Sequence, residues 1–320
     1  MTPRAVVVGP SAWNTTIRVP HLPPPVSHMV QAEGYARVLG GTSAGKALHL
    51  ADAGVATSLF TAVGTDADAE LILGALARPR GRDSARQDSP ASLTVTPWVV
   101  PGPSEHHVNL MTSAGERLSL YLDGPPHPVL TRRDRIAVHA AMATARTIVL
   151  DLCEMGRELL GEAAATEANV WADLHDYDGA NPFHAPFAAT AHVVVMNDDG
   201  CDDPLEVLHL LVARGARAAV CTRGARGAVG VASDGTEVQV PAAPVTVRDT
   251  NGAGDAFVAG MIAASHAQGW RAGAGGKARR GGTAVDATTL AGWMRAGASQ
   301  AVRALQSDDV GPAPAVNARH

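Results

Sequence analysis

The chain has 320 residues, of which 46% are apolar but only 4% aromatic, with 33 glycines, 21 prolines and a formal net charge of −5. That length suits one large α/β domain or two smaller ones. The apolar content excludes a disordered chain, the acidic balance argues against a nucleic-acid partner, and no run approaches the ~18–20 apolar residues of a membrane span.

In chain order, Ala5–Val8 reads as a buried strand closed by Gly9-Pro10, and the prolines at 20 and 23–25 exclude a helix over 19–29. Thr42 to Gly54 carries a helical stripe (Ala44, Ala47, Leu48, Ala51) behind a Gly-Gly pair, followed by a strand at Thr57–Val63 and a helix at Asp68–Ala77. Residues 79–90 read as a polar surface loop. Leu93–Val100, His107–Met111 and Leu118–Leu122 are three strands without intervening helices, which predicts a small antiparallel sheet acting as a lid. Strands then alternate with helices: Thr147–Leu150, Val170–Leu174, Val193–Met196, Ala218–Thr222 and Ala228–Ala232, with helices near 134–145, 157–168, 184–190 and 204–214. This alternation predicts a three-layer α/β/α domain on a mostly parallel sheet, with ligands beyond the C-terminal strand ends. The glycine- and arginine-rich 271–282 reads as a mobile loop, and 308–320 as a flexible tail. The N-terminus lacks the apolar stretch of a secretory signal. Cys153, Cys201 and Cys221 form no CxxC and read as reduced thiols. Both features point to the cytoplasm.

The segment Arg248 to Ile262, RDTNGAGDAFVAGMI, carries the chemistry. A tight turn opens a helix, so the amides of Gly252, Ala253 and Gly254 can converge at a helix N-terminus as an anion hole. Asp255 does not help to bind an anion. A carboxylate there reads as a general base acting on a hydroxyl that attacks a phosphoryl group, or as an Asp favoured by the helix dipole.

The Asp-Thr-x-Gly-Ala-Gly-Asp pattern, Asp249 through Asp255, resembles the second signature of the ribokinase-like (phosphofructokinase B type) carbohydrate kinases. Gly40-Gly41-Thr42-Ser43-Ala44-Gly45-Lys46-Ala47 resembles their first signature, and Thr222-Arg223-Gly224-Ala225-Arg226-Gly227 their nucleotide loop. The resemblance spans about residues 5–310. It implies a single kinase domain over 1–320 with a β lid from about 14–40 and 93–122, and homodimerisation through that lid. It also implies ATP- and magnesium-dependent phosphorylation of a sugar or sugar-like hydroxyl. Asp255 would be the base and Gly252, Ala253 and Gly254 the anion hole. Asn197, Thr222, Gly224 and Gly227 would hold the nucleotide, and Asn14, Gly40, Gly41 and Thr42 the substrate. Asp249 and the Asn251 carbonyl match a monovalent-cation (K+) site.

There are departures from the family. Gly200 stands where an Asn-x-x-Glu motif has Glu, with Asp199 or Asp202 as replacements. Asn14 stands for a sugar-binding Asp. Gly45 replaces the Asn of ribose- and fructose-type members. Lys46 reads as an exposed helix lysine or as a cation favouring an anionic substrate. Other readings stay open: a nucleoside kinase of the same fold, a non-catalytic sugar or nucleotide sensor, and a structural interaction protein. A P-loop NTPase would draw on Gly40…Gly45-Lys46 and on a Walker-B-like strand ending at Asp151, but Ala47 lacks the required hydroxyl. Asp173–Asp178 resembles a metal cluster, and reads more plainly as polar loop residues. His106-His107 reads as exposed lid residues or a substrate contact.

Overall fold

The computed structural model describes residues 5–78, 92–113, 115–246, 250–273 and 283–306. Asp249, the loop 79–90, most of 271–282 and the tail 308–320 lie outside the described residues.

The first part of the chain forms β1 (Ala5–Val8), β2 (Ala12–Arg18), β3 (Gly34–Gly40), α1 (Thr42–Asp52), β4 (Thr57–Val63) and α2 (Ala67–Ala77). Then come β5 (Leu93–Val99), β6 (His106–Met111), β7 (Arg117–Asp123), α3 (Arg132–Thr144), β8 (Thr147–Leu150), α4 (Glu154–Glu158), α5 (Leu160–Ala164) and β9 (Asn169–Asp173). The rest is α6 (Ala185–Thr190), β10 (Val193–Asn197), α7 (Pro204–Ala213), β11 (Ala218–Thr222), β12 (Ala228–Ala232), β13 (Glu237–Val240), α8 (Ala253–Ala267) and α9 (Ala287–Gln306).

Nine strands make one sheet in the order β13-β12-β11-β10-β9-β8-β1-β4-β5, parallel from β11 to β5, with β12 and β13 added antiparallel. Its central strands are apolar on both faces because both are covered. In β1, Ala5 and Val7 join the core under α1, α8 and α9, while Val6 and Val8 join the opposite core with α3 and the helices that follow. This is the expected three-layer α/β/α domain. No helix among the described residues is long and apolar enough to cross a membrane.

The order reverses at β1, which lies between β4 and β8, with Val8 level with both Phe60 and Leu150. Such a switch point leaves a crevice at the strand ends.

A separate four-stranded sheet, β3-β2-β6-β7, is the lid. One expected lid strand is corrected: Leu93–Val99 pairs along its whole length with β4 as the edge of the large sheet. Trp98 is buried there against Phe60, with ring centroids 5.7 Å apart. β2 and β3, from the expected 14–40 part of the lid, complete it, and the sheet is mixed rather than antiparallel because β2 pairs with β6 in parallel.

Candidate active site

The polar residues of the crevice come from strand ends. Asp151 follows β8, Asp173 ends β9, Asn197 ends β10 and Thr222 ends β11. The N-termini of α1 and α8 and one face of the small sheet complete the lining. Together they enclose a cleft of about 1240 Å³.

At the start of α8, Gly252 takes the left-handed conformation (φ 73°) that glycine adopts without strain, and no side chain caps the helix. Gly252, Gly254 and Asp255 line the cleft. Ala253 itself is not part of the cleft lining, and its N–H donates to the Thr250 carbonyl at 3.4 Å, closing the turn. The backbone of Gly252 and Gly254 is thus what the start of α8 presents to the cleft. Asn251 lines the cleft beside them.

Lys46 is neither exposed nor turned toward the substrate space. It is fully buried, with Nζ 2.9 Å from Asp255 Oδ1, 3.1 Å from Asp151 Oδ1 and 3.1 Å from Asp173 Oδ2. A lone buried ammonium is costly, and the three carboxylates around it favour its charged form. Burial works against the charge of Lys46, but Asp151, Asp255 and Asp173 override it and raise its pKa well above the ordinary lysine value. Burial pushes Asp255 up to about 6, against the pull of Lys46 and with a further push from Asp173 and Asp151. Burial also works to raise Asp173, yet His175 and Lys46 hold it down at about 2. Asp151 is fixed in turn by the Ser43 hydroxyl at 2.5 Å and the Thr42 hydroxyl at 3.1 Å. The apparent Walker B aspartate and the first residue of the apparent metal cluster are thus partners of Lys46. Among the described residues, no three His, Cys, Asp or Glu side chains are grouped to hold a metal.

The α1 end of the cleft is shaped by close approach. Gly41 has φ 90°, and a Cβ there would lie 2.6 Å from the Pro10 carbonyl oxygen. A Cβ at Gly40 would lie 2.2 Å from Asn14 Nδ2, so this glycine makes room for Asn14. Asn14 is buried and accepts a hydrogen bond from the His107 amide at 3.2 Å. The lid adds residues that the sequence did not single out: Glu105, Asn109, Arg117, Ser119, Tyr121 and Asp123. Strand alternation would have revealed them once the β6–β7 register was known. The two lid histidines separate. His107 lines the cleft with its ring 3.8 Å from that of Tyr121, while His106 bonds Thr15 at 3.1 Å.

Asn197, Thr222, His175, Asp176 and Asp199 line the far end. His175 is the one non-glycine residue at positive φ among the described residues, at 48°. Such a strained position is a mark of functional sites. Gly224 and Gly227 bound a short 3-10 turn just past Thr222, outside the cleft lining. Gly200 has a physical reason: a Cβ there would lie 1.8 Å from the Asp176 carbonyl oxygen, so backbone fills the expected Glu's place. Of the two aspartates near it, Asp199 lines the cleft and Asp202 does not. Asp176 and Asp199 offer carboxylate oxygens at this wall, and Asn197 Oδ1 accepts a hydrogen bond from the Asp199 amide at 2.9 Å. That suits magnesium, which is usually held by one or two carboxylates together with substrate phosphates.

A model of the pfkB family carbohydrate kinases matches residues 191–280. An acarbose 7(IV)-phosphotransferase from Actinoplanes sp. is 29% identical over 263 residues, 80% of this chain and 83% of that protein. A fructokinase from Rhizobium leguminosarum bv. trifolii is 28% identical over 248 residues, 72% of each chain. Among solved structures, a microbiome-derived acarbose kinase superposes with a TM-score of 0.75 at 27% identity, covering 96% of this chain and 94% of that one. Arabidopsis thaliana ribokinase shares the fold, with a TM-score of 0.68 at 18% identity over 96% of this chain and 94% of that one.

Proposed function

From its kinship with the pfkB family carbohydrate kinases, we propose that the chain transfers the γ-phosphoryl group of ATP to a hydroxyl of a sugar or sugar-like substrate. The observation that carries this reading is Asp255. It is a largely buried carboxylate, its side chain 13% exposed, in the first turn of α8 beside the Gly252 and Gly254 amides, at the wall of a cleft between sheet edge and lid.

Asp255 takes the proton of the substrate hydroxyl as its oxygen attacks the γ-phosphorus. The bond to the β,γ-bridging oxygen breaks, and ADP departs with that electron pair. The proton on Asp255 is then released to solvent. The Gly252 and Gly254 amides face the charge on the phosphoryl group in transit. Asn197 and Thr222 line the end of the cleft that receives the nucleotide. Magnesium, held by the phosphates with Asn197, Asp176 or Asp199, would supply charge neutralisation there. A potassium ion at Asn251 and Asp249 belongs to the same proposal, and K+-dependent turnover would test it. The lid covers the cleft and limits water as a competing acceptor.

The substrate wall supports a neutral polyhydroxyl ligand. Asn14, Asn109 and Ser119 offer donors and acceptors, and the Tyr121 ring offers an apolar face. The test is ADP release with acarbose, fructose, ribose and adenosine. The reading expects ADP with a carbohydrate acceptor. Adenosine alone as acceptor would move the assignment to a nucleoside kinase, and ligand binding without ADP to a sensor.

The free-enzyme pKa of the base sets the pH dependence of kcat/KM. Because Asp255 must be ionised to accept the proton, kcat/KM rises with pH, with an inflection near the value of about 6 that burial imposes. Below it the rate falls about tenfold per pH unit. A profile flat from pH 5 to 8 would contradict the assignment.

The outer lid face supports the proposed homodimer. Tyr35, Ile17, Leu110 and Leu118 lie in cross-strand register, and Tyr35, Leu118 and Leu120 are exposed. Light scattering on wild type and a Leu118→Glu/Leu120→Glu variant reads this directly: a dimer is expected to become a monomer.

A further inference from the structure

We infer that Lys46 is a positioning residue for phosphoryl transfer: braced by Asp151 and Asp173, its ammonium holds Oδ1 of Asp255 and leaves Oδ2 as the free oxygen over Gly45. The inference rests on Asp255 being the base, and adds how that base is aimed.

The carboxylate of Asp255 has two oxygens with different surroundings. Oδ1 lies 2.9 Å from Lys46 Nζ. Oδ2 lies where a Cβ on Gly45 would be 2.4 Å away, and Gly45 itself lines the cleft. The side-chain torsion of Asp255 is therefore set from one side, and the oxygen over the cleft-lining Gly45 is the one without the ammonium.

The ammonium cannot drift, because its three partners arrive from three separate elements: the end of β8, the end of β9 and the first turn of α8. Thr42 and Ser43 fix Asp151 from the same helix that carries Lys46, so the brace closes on itself. It ties the Gly40-Gly41 turn on the substrate side to the base on α8. An ordinary structural lysine would need one carboxylate. Here one cation serves three, and only Asp255 among them stands at the helix N-terminus with the anion-binding amides.

Among the described residues, few other charged groups face the base. His175 sits on Asp173, with Nδ1 3.7 Å from Oδ1. Across the cleft stand Glu105, His107 and Arg117 of the lid. Among the described residues Lys46 is the cation in direct contact with Asp255, so its removal has a defined electrostatic sign: the carboxylate loses its stabilising charge and its proton affinity rises.

The experiment compares wild type, Lys46→Met, Asp151→Asn, the Lys46→Met/Asp151→Asn double variant and Asp255→Asn, each checked for fold by circular dichroism. Folded Lys46→Met is expected to lose at least about tenfold in kcat at neutral pH. The inflection of its kcat/KM profile is expected to move up by about one unit or more, while KM changes less than kcat. An unmoved inflection with wild-type kcat overturns the inference. If Lys46→Met alone does not fold, the charge-balanced double variant is read against Asp151→Asn. The double variant is expected to have the lower kcat, since only it lacks the ammonium on Oδ1, and equal kcat values overturn the inference. Asp255→Asn separates the two levels. Full activity in that variant overturns the base assignment itself, whereas its inactivity beside a wild-type-like Lys46→Met overturns the role of Lys46 alone.

Discussion

Asp255→Asn is expected to lower kcat by about 10²- to 10⁴-fold, the range that a positioned general base contributes. The substitution keeps shape and removes the proton acceptor. Asn can still receive the Lys46 hydrogen bond on its amide oxygen, so the geometry around the 2.9 Å contact is retained. Removing one of three carboxylates from around a single buried cation also lessens their mutual repulsion, and burial already raises the cost of ionising Asp255. The variant should therefore fold as well as wild type and bind ATP with little change, with the loss confined to the chemical step. Steady-state kinetics with a thermal melt checks this. A variant within a few-fold of wild-type kcat would show that another group takes the proton.

The second large effect is expected at Gly45. Glycine in the interior of a helix costs about 1 kcal/mol relative to alanine, so propensity alone predicts that Gly45→Ala stabilises α1. The site predicts the opposite for activity. The new Cβ would lie 2.4 Å from Asp255 Oδ2, 3.0 Å from Cγ and 3.1 Å from Cβ, so the carboxylate must move. It cannot move freely while Lys46 holds Oδ1. A displacement of about 1 Å at a reacting group is enough for a loss of about 10²-fold. A kcat reduced about a hundredfold, with a melting temperature no higher than wild type because the strained contact offsets the propensity gain, is the expected pairing. Unchanged kcat would mean that Oδ2 does not lie over Gly45 during turnover.

These two residues differ in how readable they were. Asp255 sits in a run of consecutive residues where turn, glycines and helix start all act locally, so its setting was evident from spacing alone. Most strand ends were equally plain, because a strand buried on both faces must be an apolar run. Lys46 was opaque. Its partners are 105, 127 and 209 residues away along the chain (at 151, 173 and 255), and a lysine in an alanine-rich helix looks like a solvated side chain. Gly45-Lys46 and Asp151 even resembled pieces of a different nucleotide site. The lid misled for a related reason: alternation identifies Leu93–Val99 as a strand but not its neighbour. Its parallel register with β4 and the burial of Trp98 against Phe60 decide that. At Gly200 the missing side chain is explained only by the Asp176 backbone, which comes from a different loop.

The most direct test of the account is phosphorus NMR of the products formed from ATP, magnesium and a carbohydrate acceptor, with Asp255→Asn as the comparison. The account predicts one phosphate ester on the carbohydrate for each ADP formed by wild type, and almost none from the variant over the same time. ADP accompanied only by inorganic phosphate, or an equal yield of ester from the variant, would contradict it.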